Sequence, residues 1–138
     1  MNIISYSFND LELMTDNIDI KKGDIFYVHL GKDRNGHVQN GGRGGVRPCI
    51  IVNNNVACVF SPVLLVVPIS SSVASRRRNF PTHLPLGRTL KKDSVALFEQ
   101  ILTINRSQLR EKIATLPDNL MQSADDMLKV AFGIPRTA

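Results

Sequence analysis

GGRGGVRPCIIVNNN, residues 41 to 55, passes from a glycine-rich approach through Arg-Pro into a solid apolar run and stops at three asparagines. The glycines have no side chains to pack, so they suit a backbone that turns or lies close to a ligand. Cys49 to Val52 is a short, unbroken apolar run with a polar stop, the pattern of a buried strand. Pro48 lacks an N–H and fits a first strand position or an edge. Arg47 therefore stands at the seam between loop and strand. By residue type alone it is a solvated surface cation.

A second apolar run, Leu64 to Ile69, leads into Ser70, Ser71 and Ser72. The segment between the runs holds Asn53 to Asn55, Ser61 and Pro62 and reads as a hairpin loop, with Cys58 in it. Antiparallel pairing about that loop brings the start of the first strand to the end of the second, and Arg47 beside Ser70.

Outward from this hairpin, Ile25 to Leu30 is a strand with Phe26, Val28 and Leu30 on one face and Ile25, Tyr27 and His29 on the other. Residues 31–46 show no strand or helix period, and a loop of that length in a compact domain is usually functional. Thr82 to Leu86 is a short edge strand, and Asp93 to Asn105 a long one with Glu99 and Gln100 in its middle. Asn105 with Gln108 forms a capping box for a helix striped by Leu109, Ile113 and Leu116. A last helix opens at Pro117-Asp118 and ends at Gly133. Five short strands with terminal helices predict a mainly β, α+β fold, a small twisted barrel.

The chain has 138 residues, enough for one core and few for two. Residues 1–19 form an acidic extension in which 9–14 could turn as a helix, and residues 20–138 form a single domain. No apolar run approaches the ~20 residues a bilayer needs, and the N-terminus has no secretory pattern. Cys49 and Cys58, without a CxxC or a Cys/His cluster, fit reduced thiols of a cytoplasmic protein and imply no metal site. Residues 20–110 carry fourteen Lys or Arg against four acids, a net of +10. Such a centre favours a polyanion, and the consecutive Arg76, Arg77 and Arg78 repel one another until an anion arrives. Six Phe, two Tyr and no Trp argue against a general single-strand stacking platform.

Lys22-Gly23-Asp24-Ile25, Gly45-Val46-Arg47-Pro48, Ser61-Pro62, Pro81-Thr82-His83 and Asp93-Ser94-Val95, followed by Glu99-Gln100-Ile101-Leu102-Thr103-Ile104, resemble the MazF/PemK toxin family in order and spacing, over roughly residues 20–133. The resemblance implies an SH3-like barrel, a homodimer, and a toxin whose partner is a cognate acidic antitoxin. It implies a metal- and cofactor-independent endoribonuclease that cuts single-stranded RNA and leaves a 2′,3′-cyclic phosphate and a 5′-hydroxyl. Carried over by position, the catalytic pair is Arg47 and Ser70, and RNA contacts fall on Arg43, Ser71, Arg76, Arg77, His83 and Gln100. Ser70 stands where the family has threonine, and the acid that many members carry three to five residues before the arginine is absent from Gly42-Arg43-Gly44-Gly45. Two rivals stay open. Gyrase-binding toxins of the same barrel act through aromatic or glycine-rich tails unlike residues 133–138, and a basic RNA-binding module would bind without cutting.

Overall fold

The computed structural model describes residues 19–31, 45–72 and 80–135. The acidic extension up to residue 18, Arg43 and the arginine loop at 76–78 lie outside the described residues. Among the described residues there are seven strands: β1 (Asp24–His29), β2 (Val46–Ile51), β3 (Val63–Ser70), β4 (His83–Leu90), β5 (Lys92–Leu97), β6 (Leu102–Asn105) and β7 (Leu109–Thr115). A short helix α1 (Asn55–Phe60) links β2 to β3, and helix α2 (Asp118–Phe132) follows β7. Among the described residues no helix is long and apolar enough to cross a membrane.

The strands pair antiparallel in the order β4-β5-β3-β2-β1-β7, with β6 against the first half of β3. The mainly β expectation with a C-terminal helix holds, as a twisted sheet: β4 and β7 end the path without pairing, so hydrogen bonds do not close a barrel. Both faces of the sheet are covered. Phe26, Val28, Cys49, Ile51, Leu64 and Val66 pack in one cluster with Cys58 of α1, and Ile25, Ile50, Val67, Ile69 and Phe98 in another with Ala124 of α2. Side chains alternate between the clusters along β2 and β3, which is why these strands read as unbroken apolar runs.

Five expectations change, the first being the strand count, seven among the described residues where five were predicted. The β2–β3 connection contains α1: Asn54 caps it by accepting the Ala57 N–H at 2.8 Å, and Cys58 is buried there instead of in a loop. Residues 93–105 are not one strand, because a 3-10 turn at Phe98–Gln100, anchored by fully buried Phe98, divides β5 from β6 and carries Glu99 and Gln100. The capping box of Asn105 and Gln108 forms, yet it closes only a 3-10 turn, and β7 follows where a helix was expected. Finally, Pro48 is the third residue of β2, with β1 on one side; pairing with β3 starts only at Cys49↔Pro68, so its missing N–H leaves no gap in that ladder.

Lys22-Gly23-Asp24 ties these parts together. Buried Asp24 accepts the Lys21 N–H at 2.9 Å and the Thr115 hydroxyl at 3.0 Å and pairs with Lys112 at 3.2 Å. Lys22 reaches Asp125 of α2 at 2.6 Å. Gly133 ends α2 in the left-handed conformation, and the Ile134 N–H returns to the Lys129 carbonyl at 2.8 Å, as predicted for the helix stop.

Candidate active site

β3 changes partners along its length. It pairs with β2 up to Cys49↔Pro68 and then crosses to β5 through Ile69↔Ala96 and Ser70↔Val95. A cleft of about 700 Å³ opens where β2 and β3 part. Its lining includes Arg47 and Pro48 from β2 and Ile69 to Ser72 from the end of β3. Tyr27 of β1, Ser94 of β5, and Glu111 and Lys112 of β7 also face it, as do Thr89 to Lys92 at the β4–β5 turn.

Arg47 is no solvated surface cation: it is only 8% exposed. Its Nε donates to the Ile69 carbonyl at 3.0 Å, across the gap the parting strands leave. Its Nη1 is buried and has no partner among the described residues. Burial lowers the guanidinium pKa, while the neighbouring Cys49 thiolate form would raise it; a guanidinium remains charged at neutral pH even so. Cys49 has its thiol pushed up to about 12 by burial, against the opposing charge of Arg47, so it is neutral and no nucleophile. Buried, partially satisfied donors are uncommon in folded proteins and mark places where something else binds.

Ser70 is next to Arg47 through Ile69, as the hairpin argument requires, although the two do not face each other in a ladder. Its hydroxyl donates to the Ser72 hydroxyl and accepts the Ser72 N–H, both at 3.2 Å, an arrangement that folds the three serines over the cleft. Ser71, expected at the RNA, lines the same cleft. Ser94, part of the Asp93-Ser94-Val95 motif but not among the predicted site residues, is 2% exposed, its Oγ has no partner among the described residues, and it too lines the cleft. Lys91 and Lys92 stand at the cleft wall on a turn where Lys91 has φ 74°. A left-handed lysine is uncommon and strained backbone gathers at functional sites.

His83 and Gln100 do not line this cleft. His83 Nε2 lies 2.7 Å from Glu99 Oε1, the Thr82 hydroxyl donates to Glu99 Oε2 at 2.8 Å, and Phe80 meets the imidazole edge-on at 5.0 Å. The arrangement fastens the start of β4 to the 3-10 turn. Gln100 is exposed on that turn. Burial works to raise the Glu99 pKa, but hydrogen bonds from its own backbone, His83 and Thr82 prevail and lower it. A carboxyl lowered in the folded state contributes stability above its unfolded value of about 4.3, and the contribution is lost as pH falls through the folded value. Glu99→Gln is therefore expected to lose less of its Tm than the parent between pH 7 and pH 3. Parallel melting curves across that range would contradict this.

The family model for the PemK-like, MazF-like toxin of type II toxin-antitoxin systems matches residues 21–132. The chain belongs to this family. Endoribonuclease EndoA of Bacillus subtilis (strain 168) is 30% identical over 118 residues, covering 83% of this chain and 96% of EndoA. Among solved structures, a mycobacterial endoribonuclease in complex with its cognate antitoxin is similar at TM-score 0.68 and 18% identity, over 86% of this chain and 100% of that one. MazF of Deinococcus radiodurans, in a MazE-MazF crystal, is similar at TM-score 0.64 and 16% identity, over 86% and 99%. The chain is thus a PemK/MazF-type toxin, with the sheet of MazF structures and a named endoribonuclease among its relatives.

Proposed function

We propose that this toxin cuts single-stranded RNA in the Arg47–Ser70 cleft, by attack of a ribose 2′-hydroxyl on the adjacent phosphorus. The observation that carries the reading is the buried Arg47, which donates to the Ile69 carbonyl and has its Nη1 unpartnered among the described residues at the cleft. Negative charge grows on the phosphoryl oxygens in the transition state. A guanidinium fixed in a site of low dielectric stabilises that charge without reorganising. Ser70 supplies a further hydroxyl donor by turning its proton from Ser72 to the phosphate, and Ser71, Lys91 and Lys92 extend the contacts along the strand. Arg43, Arg76 and Arg77 belong to the same proposal as phosphate contacts. His83 enters it as an anchor of β4.

A cytoplasmic toxin of this kind works as a homodimer under the control of an antitoxin. The antitoxin complexes of the mycobacterial and Deinococcus proteins support such a partner. The net +10 of residues 20–110 makes an acidic, partly disordered segment the fitting chemistry. Residues 20–138 act as one domain in this reading, preceded by the acidic extension.

The test is incubation of purified protein with a long single-stranded RNA in excess EDTA, with both ends of each cut mapped. Cleavage at a recurring short motif, with 2′,3′-cyclic phosphate and 5′-hydroxyl ends, is expected. Cleavage that stops in EDTA and returns with Mg²⁺ would contradict the reading, and so would binding without any cutting.

A further inference from the structure

We infer that Glu111 takes the proton from the attacking 2′-hydroxyl. The inference rests on the proposed cleavage of RNA in this cleft and supplies the one role that Arg47 and Ser70 leave vacant. A base must be able to accept a proton, and Arg47, Lys91 and Lys92 arrive charged. His83 is outside the cleft and engaged by Glu99. Cys49 is a neutral buried thiol. Among the described residues that line the cleft, Glu111 is the only carboxylate.

Its place is built by the sheet. β1 and β7 pair at Phe26↔Lys112 and at Val28↔Leu109, with a register shift between, so that Arg110 and Glu111 together oppose Tyr27. Such a bulge places an extra residue in one strand and re-aims its side chains, and bulges gather beside active sites. Here both Tyr27 and Glu111 reach the cleft that holds Arg47. The neighbouring Lys112 is occupied by Asp24 at 3.2 Å, and Glu111 has no ion pair among the described residues. The acid that the glycine loop lacks before Arg47 is thereby supplied from the opposite end of the chain.

In the step itself, a Glu111 oxygen accepts the 2′-hydroxyl proton as the 2′-oxygen bonds to phosphorus and the bond from phosphorus to the 5′-oxygen breaks. The electron pair leaves on the 5′-oxygen, which takes a proton from water. The hydroxide so formed removes the proton from Glu111, and the cycle closes with no net proton change.

The experiment is single-turnover cleavage of one RNA by the full chain, as parent, Glu111→Gln and Glu111→Asp, across pH. Among the described residues, the titratable and charged groups that share the cleft with Glu111 are Tyr27 from β1, Arg47 from β2, Lys91 and Lys92 from the β4–β5 turn and Lys112 on its own strand, with Arg110 next to it in sequence and Asp24 paired to Lys112. Glu111→Gln is expected to slow cleavage by about 10²–10⁴-fold and to abolish the acid limb of the rate profile. Glu111→Asp should keep that limb at a lower rate. Both should bind the same RNA, made 2′-deoxy at the cut nucleotide, as the parent does. If Glu111→Gln cuts at the parent's rate with the acid limb intact, the inference falls while the cleavage reading stands. A variant that has lost affinity for the deoxy RNA in proportion to its rate would make Glu111 a binding group and overturn the inference as well. A parent that cuts nothing would remove the cleavage reading and this inference together.

Discussion

Replacing Arg47 by alanine is expected to lower the single-turnover rate of RNA cleavage by about 10²–10³ while the protein remains folded. The rate effect follows from the position of the guanidinium, buried at the cleft with Nη1 unpartnered among the described residues. The stability effect is a contest. Alanine leaves the Ile69 carbonyl without its 3.0 Å donor, a loss of about 1–3 kcal/mol when such a group stays buried. It also removes a cation that burial disfavours, and desolvation of an incompletely paired charge costs several kcal/mol by itself. The two terms oppose, so Tm should move by only a few degrees. Arg47→Lys should recover little activity, because an ammonium keeps the charge and loses the planar fork of donors. A folded Arg47→Ala protein that cuts at the parent's rate would remove Arg47 from the mechanism. Loss of activity only in parallel with unfolding would make its role structural.

Gly45→Ala is expected to damage fold and activity together. Gly45 has φ +77°, and a Cβ there would stand 2.8 Å from the Gly31 carbonyl oxygen and 3.0 Å from the Gly31 nitrogen. Those are backbone atoms and cannot swing aside. The left-handed conformation alone costs an alanine about 1–2 kcal/mol. Relief of the clash would pull Gly45 from Leu30, whose N–H it accepts at 2.8 Å, and would disturb the entry to β2 two residues before Arg47. A Tm drop on the order of 10 °C and a matching fall in cleavage are expected. Gly133→Ala is the control: its φ is +70°, but nothing lies within 4 Å of the added carbon. It should lose only the ~1–2 kcal/mol of the left-handed conformation and keep its activity. Equal effects at the two glycines would mean that the approach of Gly45 to Gly31 does not matter.

Where the chain was legible, it was so for local reasons. β2 and most of β3 are buried on both faces, Leu65 apart, so their apolar runs have clear ends, and the turn chemistry between them gave the approximate alignment of Arg47 with Ser70. The ladder does not run that far; it stops at Cys49↔Pro68, and only the length of the arginine side chain closes the distance. The misread segments have physical causes too. α1 is six residues long, too short to show a helical period. The 3-10 turn at Phe98–Gln100 keeps apolar residues flowing past it and carries no glycine or proline to announce it. In β7, two register shifts against β1 upset the strand's alternation, and the resulting four-and-three spacing of Leu109, Ile113 and Leu116 imitates a helix.

The site is less legible than the fold because most of it is assembled at a distance. Arg47 and Ser70 lie on consecutive strands, whereas Ser94, Glu111 and the Lys91–Lys92 turn meet them only when the sheet curls. Nothing local to those residues distinguishes them from ordinary surface groups. His83 and Gln100, singled out by resemblance, occupy a different corner, and the hydrogen bonds of His83 and Thr82 to Glu99 give the Pro-Thr-His segment a structural task.

The central claim is that the substrate's own 2′-hydroxyl is the nucleophile and Arg47 stabilises the charge it creates. The most direct measurement uses an RNA with a single 2′-deoxy nucleotide at the mapped cut, compared with the all-ribo strand in EDTA under single-turnover conditions. The account predicts that the deoxy strand binds as tightly as the ribo strand and is not cut at that position. Cleavage of the deoxy strand there at a comparable rate would contradict it, since water and not the ribose would then be attacking phosphorus.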